Sequence, residues 1–406
     1  MNMNLKTLCY AVLSIGLLWG MTSCGGGGSD TPANTPENPD TPEKPEIPSV
    51  PESDAFVKGA DISWVTEMEK KGHKFYNAAG EERECTALMK ELGLGAVRLR
   101  VWVDPKEHDN WCNKEDLLVK AKRAKNLGMD VMVDFHYSDW WADPGQQHKP
   151  ASWKGLGLAD LKKALADHTK EVLQALKEAG VTPKWVQVGN EIRPGMLWDE
   201  DKALSCASWD IKANEVKEMG WTSTEVKYPM NWANLGAFVA TGYEAVKSVF
   251  ADAIVIVHLD NGYDNGLYTW FFDELKKNGG KWDMIGMSIY PYWTMQEHSD
   301  YTAERTISEC ISNVNKVVAR YNCDVMIVET GMQCADGNGK LADASTLAAG
   351  KTTLARLLSD CREKTSGRCK GVFYWEPECK PGWYGYALGA FTEEGRPTVI
   401  MDAFKN

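Results

Sequence analysis

Residues 158–191 read LADLKKALADHTKEVLQALKEAGVTPKWVQVGNE and hold one complete helix-to-strand unit. Leu158, Leu161, Leu165, Val172 and Leu176 recur at helical spacing with Lys and Asp between them. One stripe of that helix is therefore apolar and the rest is fit for water. Gly180 stands where the helix should stop, because glycine takes the left-handed conformation of a C-terminal cap without steric cost. Trp185–Gly189 is then a short apolar run, bounded by a Thr-Pro pair before it and polar residues after it, which reads as a buried strand.

The same alternation extends outward in both directions. Seven more strand-like runs lie at Val57–Ile62, Ala96–Val101, Asp130–Phe135, Ala253–Leu259, Met284–Tyr290, Val325–Val328 and Gly371–Trp375. Gly93 and Gly128 stop two of the intervening helices as Gly180 stops the third. Strands that alternate with helices predict a parallel sheet. Eight such units, with no Gly-rich phosphate fingerprint after the first strand, predict an α/β chain closed into a (β/α)₈ TIM barrel, a single domain over residues 55–406.

The residues before that domain read differently. Lys6 and the apolar run Leu8 to Met21 form a signal-peptide pattern too short to span a bilayer. The segment ends Met21-Thr22-Ser23-Cys24, which resembles a bacterial lipobox. Residues 1–23 are thus expected to be a lipoprotein signal peptide and Cys24 the lipidated residue. Residues 24–54 continue with a Gly run and repeated Thr-Pro, Asn-Pro and Glu-Pro units that offer no apolar face to bury, the composition of a disordered tether. The expected location is the outside of the cell, on an outer-membrane lipoprotein anchor.

Composition narrows the partners. Lys and Arg total 45 against 57 Asp and Glu, a formal charge of −12. With no basic run, nucleic acid is not an expected partner; the chain is expected to act as a monomer. Seventeen Trp and fourteen Tyr are present, several in polar, Gly/Pro-rich stretches such as residues 139–144 and 291–293. Flat rings beside carboxylates suit sugar faces. Eleven cysteines, less Cys9 and Cys24, leave nine in the exported chain. None has C-x-x-C or zinc-ligand spacing, and no cofactor or metal is expected.

In such a barrel, function gathers at the C-terminal ends of the strands. There the sequence places Asp61; Arg98, Arg100 and Trp102; His136 and Asp139; Asn190 and Glu191; His258 and Asp260; Tyr290; Glu329; and Trp375 with Glu376. Glu191 and Glu329 each end an apolar strand, on strands four and seven, which face one another across the mouth. A carboxylate there suits the acid and the nucleophile of glycosidic bond cleavage. The nucleophile must be ionised, so it needs Arg100 or Arg98 and Tyr290 as donors. The acid/base must keep a proton, so it needs burial and a negative neighbour. Asn190 is placed to hold a sugar hydroxyl. Asp61, Arg100, Trp102, His136, Asp139, Trp141, Asp260, Tyr290, Trp293 and Trp375 complete the expected substrate-binding set.

Several runs together resemble glycoside hydrolase family 53, the arabinogalactan endo-β-1,4-galactanases. They include Gly59-Ala60-Asp61-Ile62-Ser63, Asp134-Phe135-His136-Tyr137-Ser138-Asp139, Val188-Gly189-Asn190-Glu191-Ile192, Val328-Glu329-Thr330-Gly331 and Phe373-Tyr374-Trp375-Glu376-Pro377. The resemblance runs in order from about residue 56 to the end. It implies endo-acting, retaining hydrolysis of β-1,4-galactan, with Glu191 as acid/base and Glu329 as nucleophile. Three departures stand out. The loop Ala335–Lys340 has at most two hard ligands where relatives carry a calcium loop, too few for six- to eight-fold coordination. Cys334 and Cys379 flank the same region, and the resemblance to fungal members implies a disulfide between them. Residues 199–228 form a long lid-like insertion, and Arg193-Pro194 replaces the commoner Thr after the acid/base. Two other readings share the residues: a different β-glycan as substrate, and a glycan-binding lipoprotein without catalysis.

Overall fold

A computed structural model of the chain describes residues 56–198, 210–211, 226–227 and 231–405. The expected signal peptide, Cys24, the tether and nearly all of the 199–228 insertion lie outside the described residues.

All eight expected strands are present: β1 (Val57–Asp61), β2 (Ala96–Val101), β3 (Asp130–Phe135), β4 (Trp185–Val188), β5 (Ile254–Leu259), β6 (Met284–Ser288), β7 (Asp324–Glu329) and β8 (Cys369–Trp375). Each pairs in parallel with its sequence neighbours, and β1 pairs with β8, so the sheet closes into a barrel. The principal helices lie outside it: α1 (Val65–Lys70) and α2 (Cys85–Glu91) after β1, α3 (Lys114–Asn126) after β2, α4 (Leu158–Glu178) after β3, α5 (Trp232–Val249) after β4, α6 (Asn265–Lys277) after β5, α7 (Pro291–Glu297) and α8 (Ala303–Tyr321) after β6, and α9 (Ala344–Glu363) after β7. This is the TIM barrel the alternation predicts. Gly93, Gly128 and Gly180 follow the C-caps of α2, α3 and α4 at φ of 96°, 65° and 67°. The sixth strand stops two residues earlier than expected because Pro291 opens α7, with Tyr290 as its N-cap.

Strand alternation divides the core in two. Outward-facing strand residues pack against the helices. Inward-facing Ala96, Met132, Trp185, Ile256, Met284, Met326, Val328 and Phe373 form a separate apolar plug. A Cβ at Gly59 would lie 2.4 Å from the Phe373 ring, so glycine there leaves the space that the ring fills. Two residues further along β1 to β5, the inward positions turn polar, giving Asp61, Arg98, Asp134, Gln187 and His258. This layer, all buried, is the floor on which the mouth is built.

The expected Cys334–Cys379 disulfide is not formed; both are buried free thiols, as are or nearly are the other described cysteines. Cys334 Sγ donates to the Phe391 carbonyl at 3.6 Å. Cys379 Sγ lies 2.8 Å from where a Gly389 Cβ would stand. The loops meet instead through main-chain bonds, the N–H groups of Cys334 and Ala335 both donating to the Ala387 carbonyl at 2.8 and 2.9 Å.

Candidate active site

The chain turns sharply where several strands reach the mouth. Tyr137, Glu191, Asn261 and Glu376, just after β3, β4, β5 and β8, all sit in the left-handed region with φ between 47° and 51°. Such backbone costs about 1 kcal/mol or more per non-glycine residue and is held only where its surroundings impose it. Gly189, two residues before Glu191, has φ 82° and completes that turn. Glu329 arrives by another route. The β6–β7 ladder pairs Met287 with Ile327 and then Ser288 with Glu329, and this bulge brings Glu329 level with Ser288.

The result is a close pair of carboxylates. Oxygens of Glu191 and Glu329, with a ring nitrogen of His258, all lie within 4.8 Å of one another. Their surroundings differ. Glu329 receives Arg98 Nη1 at 2.8 Å on Oε1 and the Tyr290 hydroxyl at 3.0 Å on Oε2. Burial pushes its carboxyl up to about 7, against the lowering pull of Arg98. Glu191 has no such cation at its oxygens among the described residues. Burial raises it well above the ordinary carboxylate range, and the charges of Glu329 and Asp260 add to this. When one proton is shared between the two, its place is Glu191, and Glu329 is the ionised partner.

Arg98 is the centre of the polar floor. Besides Glu329 it bonds Asp61 at 2.8 Å, Asp134 at 2.9 Å and Asn190 Oδ1 at 2.8 Å. Asn190 gives one amide hydrogen to the Ala142 carbonyl at 2.8 Å, which keeps the second for a ligand. Asp260 holds a bidentate pair with Arg193, both contacts 2.9 Å, at the rim beside Glu191.

Not every expected residue reaches the opening. Asp61 and Arg100 are 0% and 1% exposed. Arg100 pairs with Glu376 rather than with a nucleophile, and its guanidinium lies 4.3 Å from the Trp141 ring centre. Trp102 is buried against Trp140 and donates its indole N–H to His136 Nδ1 at 3.3 Å. The Ala142 N–H reaches the same nitrogen at 3.0 Å, so His136 carries its proton on Nε2 and gives it to Asp134 at 3.0 Å. Asp139 ties loops together, accepting from the N–H groups of Asp104 and Ala151. These five support the site from beneath or behind. Trp141, Trp293 and Trp375 are half-buried. Trp64, missed in the sequence, joins Trp141 and Trp375 with ring centres 5.8 and 5.1 Å away, and Tyr386 stands 4.7 Å from Trp375. Together they make an aromatic wall.

The sequence showed no metal-ligand spacing, yet three strands bring Glu191, His258 and Glu329 together. The Ser288 hydroxyl lies among them, 2.6 Å from Glu191, 2.7 Å from His258 Nε2 and 3.4 Å from Glu329. In the loop after β7, Asp336 spends one carboxylate oxygen on the N–H groups of Asn338 and Lys340, each at 2.9 Å. Ser288, Gln187 and Asp134 are the site residues that end-of-strand reading passed over; His258, read at the end of β5, lies buried among them.

Two converging glutamates at the C-terminal mouth of a parallel barrel, one of them backed by an arginine and a tyrosine, are the equipment of a glycoside hydrolase. The chain belongs to glycosyl hydrolase family 53, whose family model matches residues 57–395. The endo-beta-1,4-galactanase of Bacillus subtilis is 30% identical over 86% of this chain and 75% of its own. The arabinogalactan endo-beta-1,4-galactanase of Thermothelomyces thermophilus is 30% identical over 79% of this chain and 89% of its own. Among solved structures, a fungal beta-1,4-galactanase superposes with a TM-score of 0.70 at 27% identity, covering 87% of this chain and 100% of its own. The family 53 catalytic domain of Ignisphaera aggregans gives 0.71 at 25% identity, over 88% and 97%.

Proposed function

We propose that this glycoside hydrolase cuts internal β-1,4-galactosidic bonds of galactan with retention of anomeric configuration. The observation that carries the mechanism is the separation of the carboxylates. One oxygen of each within 4.8 Å of the other suits the roughly 5 Å of a nucleophile and its acid better than the about 6.5–9.5 Å between carboxyls with which inverting enzymes make room for a water. In the first step Glu191 protonates the leaving oxygen as the C1–O bond breaks and a Glu329 oxygen bonds to C1. In the second, Glu191, now ionised, takes a proton from water, whose oxygen displaces Glu329 from C1. Arg98 and Tyr290 stabilise Glu329 as it departs.

Galactan as substrate is supported by the relatives, whose names record it. A panel of galactan, arabinan, mannan and xylan tests this by reducing-sugar release. Galactan alone should be cut, with mixed oligosaccharides in the first minutes. Galactose as the only early product would contradict internal cleavage, and binding of galactan without any product would favour a lipoprotein that only holds glycan.

The domain is displayed outside the cell on a lipid at Cys24, with residues 24–54 as its tether. Cys24→Ala should move the protein from the membrane to the soluble fraction and abolish labelling by a fatty-acid analogue. Unchanged labelling and fractionation would contradict the anchor.

A further inference from the structure

We infer that Ser288 is a positioning residue: its hydroxyl holds Glu191 Oε1 as a hydrogen-bond acceptor through the whole cycle, so that the proton Glu191 gives and takes resides on Oε2, and His258 sets the direction in which that hydroxyl points. The inference rests on the proposed acid/base role of Glu191.

A serine hydroxyl has one hydrogen to give. Ser288 Oγ has Glu191 Oε1 at 2.6 Å, His258 Nε2 at 2.7 Å and Glu329 Oε2 at 3.4 Å. The contact with Glu329 is too long to compete, so the choice is between Glu191 and His258. It is decided by which ring nitrogen of His258 carries hydrogen. His258 is fully buried, and burial, with Arg98 and His136 nearby, holds it well below its ordinary value, so the ring is neutral with a single N–H.

Two arrangements satisfy the distances. In one, His258 Nδ1 accepts from Gln187 Nε2 at 3.0 Å, Nε2–H donates to Ser288, and Ser288 donates to Glu191. In the other, Nδ1–H donates to Asn190 Oδ1 at 3.1 Å and Ser288 donates to Nε2. The second would leave hydroxyl lone pairs facing an ionised Glu191 at 2.6 Å, which is repulsive. It is tolerable only while Oε1 itself carries the proton, on the oxygen turned away into the floor. The Glu191 of the second chemical step is ionised, so only the first arrangement serves both halves. Gln187 is already oriented for it. Arg98 holds its Oε1 at 3.2 and 3.3 Å, and its Nε2 reaches Asp134 at 2.6 Å. The chain of donors therefore runs Gln187 to His258 to Ser288 to Glu191. It converts a fixed amide in the floor into a fixed choice of oxygen at the acid. Besides Ser288, the groups facing Glu191 include Glu329 from β7, His258 from β5, Asp260 beyond it, Asp143 from the loop after β3, Tyr290 at the start of α7, Tyr268 on α6 and Arg193 just after Glu191 in sequence.

Ser288→Ala separates this role from a merely structural one. On galactan, whose leaving group must be protonated, kcat/KM should fall about 10- to 100-fold, within the range of general acid catalysis. On 2,4-dinitrophenyl β-galactobioside, which leaves without a proton, it should stay within about twofold, for the same reason. The basic limb of the galactan profile should also move to higher pH, because a carboxylate that loses a donor holds its proton more tightly. Ser288→Cys, nearly isosteric with a weak donor, carries the same test should the alanine variant not fold. Equal loss on both substrates, or no loss on galactan, would overturn the inference. Glu191→Ala run in parallel keeps the two questions apart. If it spares the activated substrate while Ser288→Ala does not, only the role of Ser288 falls. If it does not spare it, the acid/base reading falls and this inference with it.

Discussion

Glu329→Gln should lower kcat on galactan by about 10⁴-fold or more, the scale on which loss of a covalent nucleophile registers. The amide is nearly isosteric, its oxygen able to accept from Arg98 and its NH₂ to donate to the Tyr290 hydroxyl oxygen, but it cannot displace a leaving group from C1. The fold should survive. Arg98 loses one partner of its charge but keeps Asp61 and Asp134 at 2.8 and 2.9 Å, so the buried guanidinium is not left uncompensated, the condition that makes broken buried pairs costly. Steady-state rates and a circular-dichroism melt of the same preparation measure both halves. Residual activity above roughly a tenth of wild type would remove Glu329 from the nucleophile's role, since several powers of ten are at stake.

Glu191→Ala should behave differently in kind. On galactan the loss should reach about 10²- to 10⁴-fold, the contribution of a positioned general acid. On an aryl galactoside with a good leaving group the first step should proceed almost unimpaired. The second step then lacks its base, and a glycosyl-enzyme should accumulate. Azide, a nucleophile that needs no deprotonation, should restore turnover and yield a β-galactosyl azide. The pH profile gives an independent reading. Wild-type kcat/KM should be lost as pH rises through the raised value of Glu191, because the acid form disappears. In the variant that basic limb should vanish. A profile that keeps the basic limb, or turnover indifferent to azide, would assign the acid/base to another residue.

The sequence revealed those features that depend on one strand at a time. Each strand announces itself as an apolar run, three of the helix stops carry glycine, and two glutamates end apolar strands on opposite sides of the mouth, although a third strand-end glutamate, Glu376, serves as the ion-pair partner of Arg100. Glu191 and Glu329 were therefore legible. The distinction between Arg98 and Arg100 was not. Both lie on one face of β2, and only the register across strands puts Arg98 level with Asp61 and below Glu329, while Arg100 rises toward Glu376. Ser288 was hidden for the same reason. A serine near a strand end is unremarked until the bulge in β7 sets Glu329 opposite it. A signal for the floor did exist. Gln187 and His258 interrupt runs that are otherwise Val, Ile and Leu, and a polar residue at an inward position of a closed barrel must find partners there. The Cys334–Cys379 pairing came from likeness to relatives, and both side chains stand here as free thiols. Trp64 was missed because it stands just beyond β1, and its backbone N–H donates to the Glu376 carboxylate at 3.1 Å, a residue from the far end of the sequence.

The account turns on a covalent bond between sugar and Glu329, and that bond can be caught. A 2-deoxy-2-fluoro β-galactobiosyl donor with a dinitrophenyl leaving group should form the first intermediate quickly and release it slowly, because the fluorine destabilises the transition states of both steps while the leaving group accelerates only the first. Peptide mass spectrometry after digestion at low pH should find one modified peptide, spanning Val325 to Thr330, with the fluorosugar on Glu329. Stoichiometric inactivation with the label on any other carboxylate, or turnover of the reagent with no adduct and an inverted product, would contradict a double displacement through Glu329.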